Sequence, residues 1–362
     1  MTRSITKYGV TVRNREDLGR ILKMAFYIAG TGRPGPVLID LPKDIQNAQG
    51  SEEYPKSVQI RGYKPNEAVH IGQLKRAYKL FEEAKRPLIL AGGGVCAAHA
   101  GRKLVAFTEK TKTPVVTTIM GKGAIPSSHP LYVGNCGMHG KYAANMAVGR
   151  CDVLFSIGTR FNDRITGDLN EFAPEAKIVH IDVDAASISR NVVVDVPVVS
   201  DAGLALEKLS EWAKETDTAE WRAQIARWER ENPLEMRRDL GMTPQMIFEE
   251  VNRAFDDAIY VTDVGQHQMW ATQYLQLDER RELITSGALG TMGFGLPAAI
   301  GAKIGNPGRE VVCFCGDGGL QMNIQELATA VVWGAPVIIC LFQNHSLGMV
   351  RQMQQLFYGE RY

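Results

Sequence analysis

The chain has 362 residues, 45% hydrophobic and 22% charged, which is long enough for two or three domains and has the balance of a soluble globular protein. Lys and Arg number 41 against 40 Asp and Glu, a formal charge of +1, so no basic footprint for nucleic acid or an anionic membrane is present. The six cysteines form no CxxC pair or zinc-like grouping, which fits a reducing compartment, the start MTRSITKYGVTV has no signal-peptide apolar region, and no run reaches the roughly 18 apolar residues that span a membrane.

In chain order, Asn14 is placed to cap a helix whose third residue is Asp17 and whose apolar stripe is Leu18, Ile21, Leu22, Ala25 and Ile28. Gly30 and Gly32 stop it, Arg33-Pro34-Gly35-Pro36 turns the chain, and Val37 to Leu41 reads as a strand ending at Pro42-Lys43-Asp44. One helix and one strand cannot bury a core alone. Residues 1–50 therefore either dock on the rest of the chain or are the tail of a domain that begins elsewhere. Residues 51–67 carry Ser, Pro, Tyr, Lys and Gly without a period and read as a linker.

Over 68–210 helix and strand alternate. A helix over 71–83 leads to the strand Pro87 to Ala91 and then Gly92-Gly93-Gly94, and a helix over 99–108 leads to a strand over 114–118. Further strands are expected at Val153 to Ile157 and at Lys177 to Asp182. This is a doubly wound α/β pattern, a parallel sheet with helices on both faces. Triple glycine after a strand lets a polyphosphate approach the backbone, though a tight turn explains it equally well. Asp182-Val183-Asp184 at a later strand end can accept hydrogen bonds from ribose hydroxyls, and Arg160 and Arg164 lie beyond another, so a dinucleotide crevice is the favoured reading. Between them the glycine-rich loop GNCGMHG carries His139, either against a ligand or simply exposed to solvent. Residues 211–242, with Trp221 and Trp228 on one helical face, read as a surface helical connection without chemistry.

The last segment, 243–362, opens with Thr243 as cap and Pro244 at the first helical position. A strand over 259–262 delivers Asp263-Val264-Gly265-Gln266-His267-Gln268, and SGALGTMGFGLPAA follows from Ser286. A strand over 311–315, with Cys313 and Cys315 on one face, ends in Gly316-Asp317-Gly318-Gly319. One helical stretch and one strand later come Gln343-Asn344, the crossover that brings parallel strands side by side. Asp317 and Asn344 can then meet at the carboxyl edge, where a carboxylate and an amide oxygen suit octahedral Mg²⁺ together with water and phosphate oxygens. Taken alone, Gly-Asp-Gly is also a common surface turn.

GDG with Asn at this distance resembles the thiamine diphosphate motif. The segments GRPGPVLIDLPKDI, AGGG, GMHG, GTRFNDRITG, HIDVD, TDVGQHQMW, SGALGTMGFGLPAA, GDG and NHSLGMVRQ, in this order, closely resemble the acetohydroxyacid synthase (acetolactate synthase) catalytic subunit family, which uses thiamine diphosphate, Mg²⁺ and FAD. The resemblance implies condensation of two pyruvates to 2-acetolactate with release of CO₂, or of pyruvate with 2-ketobutyrate, the first common step of branched-chain amino acid biosynthesis. It assigns Asp317, Asn344 and the Ser346 carbonyl to the metal, and Gly265, Gln266, His267, Gly290, Met292, Gly316, Gly318, Gly319, Gly348 and Met349 to thiamine diphosphate, with Met292 a prop under the cofactor. To FAD it assigns Arg33, Gly92, Gly93, Gly94, Thr117, Met138, His139, Gly140, Arg160, Asp182 and Asp184. Arg164 and Lys43 would line the substrate channel and, with Gln266 and Met292, serve the reaction; an ion pair of Arg164 with Asp163 or Asp168 is the plain alternative.

The resemblance further implies a homodimer or homotetramer, a possible regulatory small subunit, and a cytoplasmic or plastid-stromal location. The family supplies an activating Glu from an N-terminal pyrimidine-binding domain, of which only the tail matches here, and it continues beyond Tyr362. The expectation is thus a fragment: residues 1–50 as that tail, 68–210 as the FAD-associated domain, 243–362 as an incomplete diphosphate-binding domain, and an isolated chain with negligible activity. Met353 stands where the family usually carries Trp, which puts the 2-ketobutyrate preference in question, and Asn162 replaces a frequent Asp. The rival readings are another thiamine diphosphate enzyme such as glyoxylate carboligase, and a non-catalytic FAD-binding protein.

Overall fold

A computed structural model describes residues 2–65 and 68–362 and contains three parallel sheets. The first is small. Strand β1 (Tyr8–Thr11) pairs with β2 (Val37–Asp40) and packs with the helix Leu18–Gly30, whose Ile21 meets Val12 and Ile45 in a small core. Asn14 does cap, but it caps a short turn, Arg15–Asp17, that precedes the helix. The expected linker folds back on this unit: the Tyr63 hydroxyl and Lys7 ammonium lie 3.1 Å apart, and Lys7 also bonds the Thr31 carbonyl at 2.7 Å near the helix end. Asn66 and Glu67, also part of that linker, lie outside the described residues.

Six strands form the second sheet: β3 (Pro87–Ala91), β4 (Val115–Thr117), β5 (Tyr132–Asn135), β6 (Val153–Ile157), β7 (Lys177–Asp182) and β8 (Val196–Val199). Their spatial order is β5-β4-β3-β6-β7-β8, so the chain runs outward from β3 to one edge and then restarts at β6 on the other side. That reversal leaves a crevice beyond the carboxyl ends of β3 and β6, the position at which open α/β sheets bind ligands. The central strands are buried along their full length, which is why they read as mainly apolar runs, broken only by Ser156. The helix Ala219–Glu231 is not a loose connection: Trp221 is buried in the core on one face of this sheet, and its indole N–H donates to the Pro87 carbonyl at 3.1 Å.

The third sheet has the order β10-β9-β11-β12, from β9 (Ala258–Thr262), β10 (Glu282–Thr285), β11 (Glu310–Gly316) and β12 (Ile338–Phe342). Thr243 caps the helix Pro244–Ala254 as its sequence predicts, the hydroxyl accepting from the Met246 N–H at 3.3 Å. Cys313 and Cys315 share one buried face with Val261 and Ala299 and are free thiols. Among the described residues, no helix is long and apolar enough to cross a membrane.

The second and third sheets meet through loops. Ser127 and Leu277 exchange two hydrogen bonds, at 2.8 and 2.9 Å, and Arg102 forks onto Glu279 at 2.7 and 2.8 Å. The first sheet is tied to the second by Arg33, which donates to Asp184 at 3.1 Å and to Ser187 at 3.0 Å. Burial raises the Asp184 pKa, but hydrogen bonds from Ser187, the Ala186 N–H and Arg33 outweigh it and hold the carboxyl below its ordinary range.

Candidate active site

The register β11 to β12 pairs Gly316 with Phe342, so the residues just beyond these two strands are brought side by side. Asp317 Oδ2 accepts from the His345 N–H at 2.9 Å and Oδ1 from the Gly318 N–H at 2.8 Å. Asn344 Oδ1 accepts from the Ser346 N–H at 3.1 Å, turning the chain so that residues 344–346 close over the Asp317 turn. The two oxygen donors expected from the sequence therefore lie on adjacent strand ends. Among the described residues no group of three or more His, Cys, Asp or Glu is placed to hold a metal.

Glycines keep this rim open. A Cβ on Gly348 would meet Gln266 Oε1 at 2.2 Å and Asn344 Nδ2 at 2.7 Å, and one on Gly318 would meet Leu347 at 2.6 Å with the Met292 methyl at 3.5 Å. Gly265 has φ +149 where the chain enters the helix Gln266–Tyr274. His267 is buried against Phe342, its ring stacked at 6.2 Å. Burial pushes its pKa down to about 4 against the pull of the Asp263 charge and a hydrogen bond to the Asp263 backbone, so it is neutral at pH 7. Among the described residues its Nε2 has no partner, and a Cβ on Gly316 would lie 3.2 Å from the ring. A buried ring nitrogen left unpaired beside this turn is what a site completed by a bound molecule presents.

One carboxylate of this rim was not singled out from the sequence. Asp263 is only 1% exposed and accepts from the N–H groups of Val264 at 2.7 Å, Gly293 at 3.1 Å and Gly295 at 2.8 Å. It pins the end of β9 to the start of the helix Gly295–Gly305 and fixes the loop that carries Gly290 and Met292. Asp at the end of an apolar run, facing a glycine-rich segment, was the available signal.

A cavity of about 970 Å³ reaches all three sheets; Val264 and Met349, near the rim, line it, whereas Asp317 and Asn344 do not. Gly32 and Arg33 line it from the first; Gly93, Gly94, Gly158, Arg160, Arg164 and Asp182 from the second; Val264, Gln268, Gly290, Met349 and Met353 from the third. At its floor the triple glycine and Gly158 interlock: a Cβ on Gly92 would stand 2.2 Å from the Gly158 carbonyl oxygen, and one on Gly94 2.6 Å from the Gly158 Cα. Only glycine permits that approach. The 136–140 loop also faces the cavity, with Met138 and His139 among its walls. Burial and the neighbouring Arg164 both lower the His139 pKa.

Several sequence assignments shift. Thr117 does not line the cavity; its hydroxyl is buried and lies 3.1 Å from the Tyr132 hydroxyl. Thr118, one residue on, lines it instead and caps the turn Ile119–Gly121. Gly92 and Gly140 sit behind the wall, Asp184 is engaged with Arg33, and Lys43 is exposed at the start of the helix Lys43–Asn47, away from the cavity lining. Arg164 does line the cavity. Its only ion pair among the described residues is a long one, 3.9 Å to Asp163, rather than with Asp168. Gln268, Met269 and Thr272, one face of the helix that follows Gly265, were missed, although their helical spacing after the glycine was legible.

A sheet reversal that forms a cavity, joined to a second parallel sheet whose rim offers Asp317 and Asn344, is the arrangement of enzymes that bind a diphosphate cofactor through a metal. The chain belongs to the thiamine pyrophosphate enzyme family: residues 74–209 match the thiamine pyrophosphate enzyme central domain, and residues 263–362 the C-terminal TPP binding domain. It is 46% identical over 373 residues to a probable acetolactate synthase large subunit of Methanocaldococcus jannaschii, covering 99% of this chain and 63% of that protein. It is 45% identical to the acetolactate synthase large subunit of Corynebacterium glutamicum, covering 100% of this chain and 59% of the relative. With the acetolactate synthase isozyme 3 large subunit of Escherichia coli the identity is 42%, over 100% of this chain and 65% of the relative. The chain thus spans a little under two thirds of the length of these relatives.

Proposed function

We propose that the protein carrying this chain is an acetolactate synthase, joining two pyruvates to 2-acetolactate with loss of CO₂, or pyruvate to 2-ketobutyrate. The observation that carries the reading is the convergence of Asp317 and Asn344 at neighbouring strand ends, with a separate cavity that Arg164 and Met349 line. Relatives named as acetolactate synthases along the whole of this chain support it.

When bound, thiamine diphosphate supplies the electron sink for loss of CO₂ from a 2-keto acid and for carbon–carbon bond formation. Asp317, Asn344 and the Ser346 carbonyl would hold Mg²⁺ against its diphosphate, and Gly318, Gly319 and Gly348 leave the backbone room for it. Met292, packed toward Gly318, would prop its ring system. Arg164 would pair bidentately with the carboxylate of the keto acid. Met349 and Met353 give the cavity an apolar wall that keeps water from the reacting carbon.

FAD would fill the part of the cavity between Arg33, Asp182 and the triple glycine. Thr118, Met138, His139 and Arg160 line the cavity and would face the FAD there. The reaction has no net redox change, so the flavin's role would be structural. The protein loaded with thiamine diphosphate, Mg²⁺ and FAD is expected to make acetolactate from pyruvate. Carboligation of glyoxylate with none of pyruvate would overturn the assignment in favour of the glyoxylate enzyme.

A further inference from the structure

The loop 136–140, which presents Met138 and His139 to the cavity, is held from three sides. From its own domain, Asn145 grips Gly137 twice, accepting from its N–H at 2.7 Å and donating to its carbonyl at 3.0 Å. On a second side, the Met138 N–H donates to the Arg164 carbonyl at 2.9 Å, and a Cβ on Gly137 would stand 2.4 Å from that same oxygen. The third restraint comes from the other domain: Gln273 Nε2 donates to the His139 carbonyl at 3.0 Å. A carbonyl can only accept, so the amide nitrogen must be the group that faces it.

Gln273 is the penultimate residue of the helix Gln266–Tyr274. That helix begins with Gln266 and His267 at the Asp317 rim, lines the cavity in its middle with Gln268, Met269 and Thr272, and ends on the loop that carries Met138 and His139. It is a rigid element of about two and a half turns with the proposed diphosphate site at one end and the proposed flavin site at the other. Through the loop it also reaches Arg164, whose guanidinium lies 3.6 Å from Met138 Sδ.

We propose that Gln273 is a positioning residue that couples the two cofactor sites: ordering of the Gly265 to His267 end by thiamine diphosphate and Mg²⁺ is passed along the helix to the 136–140 loop and tightens the cavity on FAD. The inference rests on the proposed occupancy of the cavity by FAD. Binding linkage then requires FAD to tighten thiamine diphosphate by the same factor.

The test is a pair of titrations on the full chain: FAD with and without saturating thiamine diphosphate plus Mg²⁺, and thiamine diphosphate plus Mg²⁺ with and without FAD. Each is read by flavin absorbance or by protein fluorescence. The wild type is expected to show reciprocal tightening of at least ~5-fold. Gln273→Met keeps the side-chain length and removes the donor; it should bring the coupling factor to about 1, leave the affinity for thiamine diphosphate and Mg²⁺ without FAD within about 2-fold, and not lower the unfolding temperature. Ser127→Ala breaks a different contact between the same domains, the bond at 2.9 Å from the Leu277 N–H, and should leave the coupling intact. Coupling that survives Gln273→Met, or that falls equally in Ser127→Ala, overturns the role of Gln273. A chain that takes up thiamine diphosphate but no FAD overturns the flavin reading beneath it.

Discussion

Gly319 and Asp263 give a sharp test of how the rim is built. A Cβ on Gly319 would lie 2.6 Å from Asp263 Oδ1 and 2.9 Å from its Cγ. A flexible side chain would swing away, but this carboxylate is pinned by the N–H groups of Val264, Gly293 and Gly295 and is buried. Gly319→Ala must therefore either strain the helix Asp317–Met322 or release a charge-assisted bond. Overpacking costs about 1–3 kcal/mol and a lost hydrogen bond to a charged group about 1.5–3, so whichever occurs, a loss of ~1–3 kcal/mol is expected. Helix propensity acts in the opposite sense by up to about 1 kcal/mol, so destabilisation can come only from the clash. Gly301, in the helix Gly295–Gly305, is the control: a Cβ there would meet nothing within 4 Å, so Ala should stabilise slightly. The assay is thermal unfolding together with thiamine diphosphate and Mg²⁺ affinity. A drop of roughly 1–5 °C and weakened cofactor binding in Gly319→Ala, against neither in Gly301→Ala, is the expected pair. Equal behaviour of the two variants would refute the reasoning.

Lys122 is 8% exposed, and burial, then the charge of Lys141, brings its pKa down to about 7 from 10.5. The unfolded chain binds more protons between those values, so this group's penalty is absent above pH 10.5 and complete below pH 7. Lys122→Met should stabilise the protein at pH 7 by up to ~4 kcal/mol and flatten the rise of stability between pH 7 and 10.5, as read from denaturant midpoints across that range. Met353 lines the cavity, and Met353→Trp should narrow it and raise the preference for 2-ketobutyrate over pyruvate in a competition assay; an unchanged product ratio would separate this residue from acceptor choice.

The strands that carry the architecture were legible because their mostly apolar, buried stretches end at turn signals: Pro87–Ala91, Val153–Ile157 and Lys177–Asp182 match residue for residue. Two edge strands were not. Tyr8–Thr11 alternates half-buried and exposed positions over four residues, and Tyr132–Asn135 contains Gly134 at φ +135 beside a register shift against Val115 and Val116. Both look like loop until a partner strand is known. Thr117 was assigned by resemblance alone; it is the last residue of β4, its hydroxyl lies beside that of Tyr132, and Thr118, the next residue, lines the cavity. Asp317 and Asn344 were legible because their chemistry and spacing agree with a single crossover. The cavity that unites three sheets was not, because Arg33, Arg164 and Met353 are far apart in sequence and only the packed domains bring them to one wall.

The account rests on the proposed site for a diphosphate and Mg²⁺, and the direct measurement is titration of the chain with thiamine diphosphate, with Mg²⁺ and after chelation, followed by the fluorescence of Trp270, whose ring lies 5.8 Å from that of Phe342 beside the rim. Binding that needs Mg²⁺ and weakens at least ~10-fold in Asp317→Ala is the predicted result. Binding that is indifferent to chelation, or unchanged in Asp317→Ala, would contradict it.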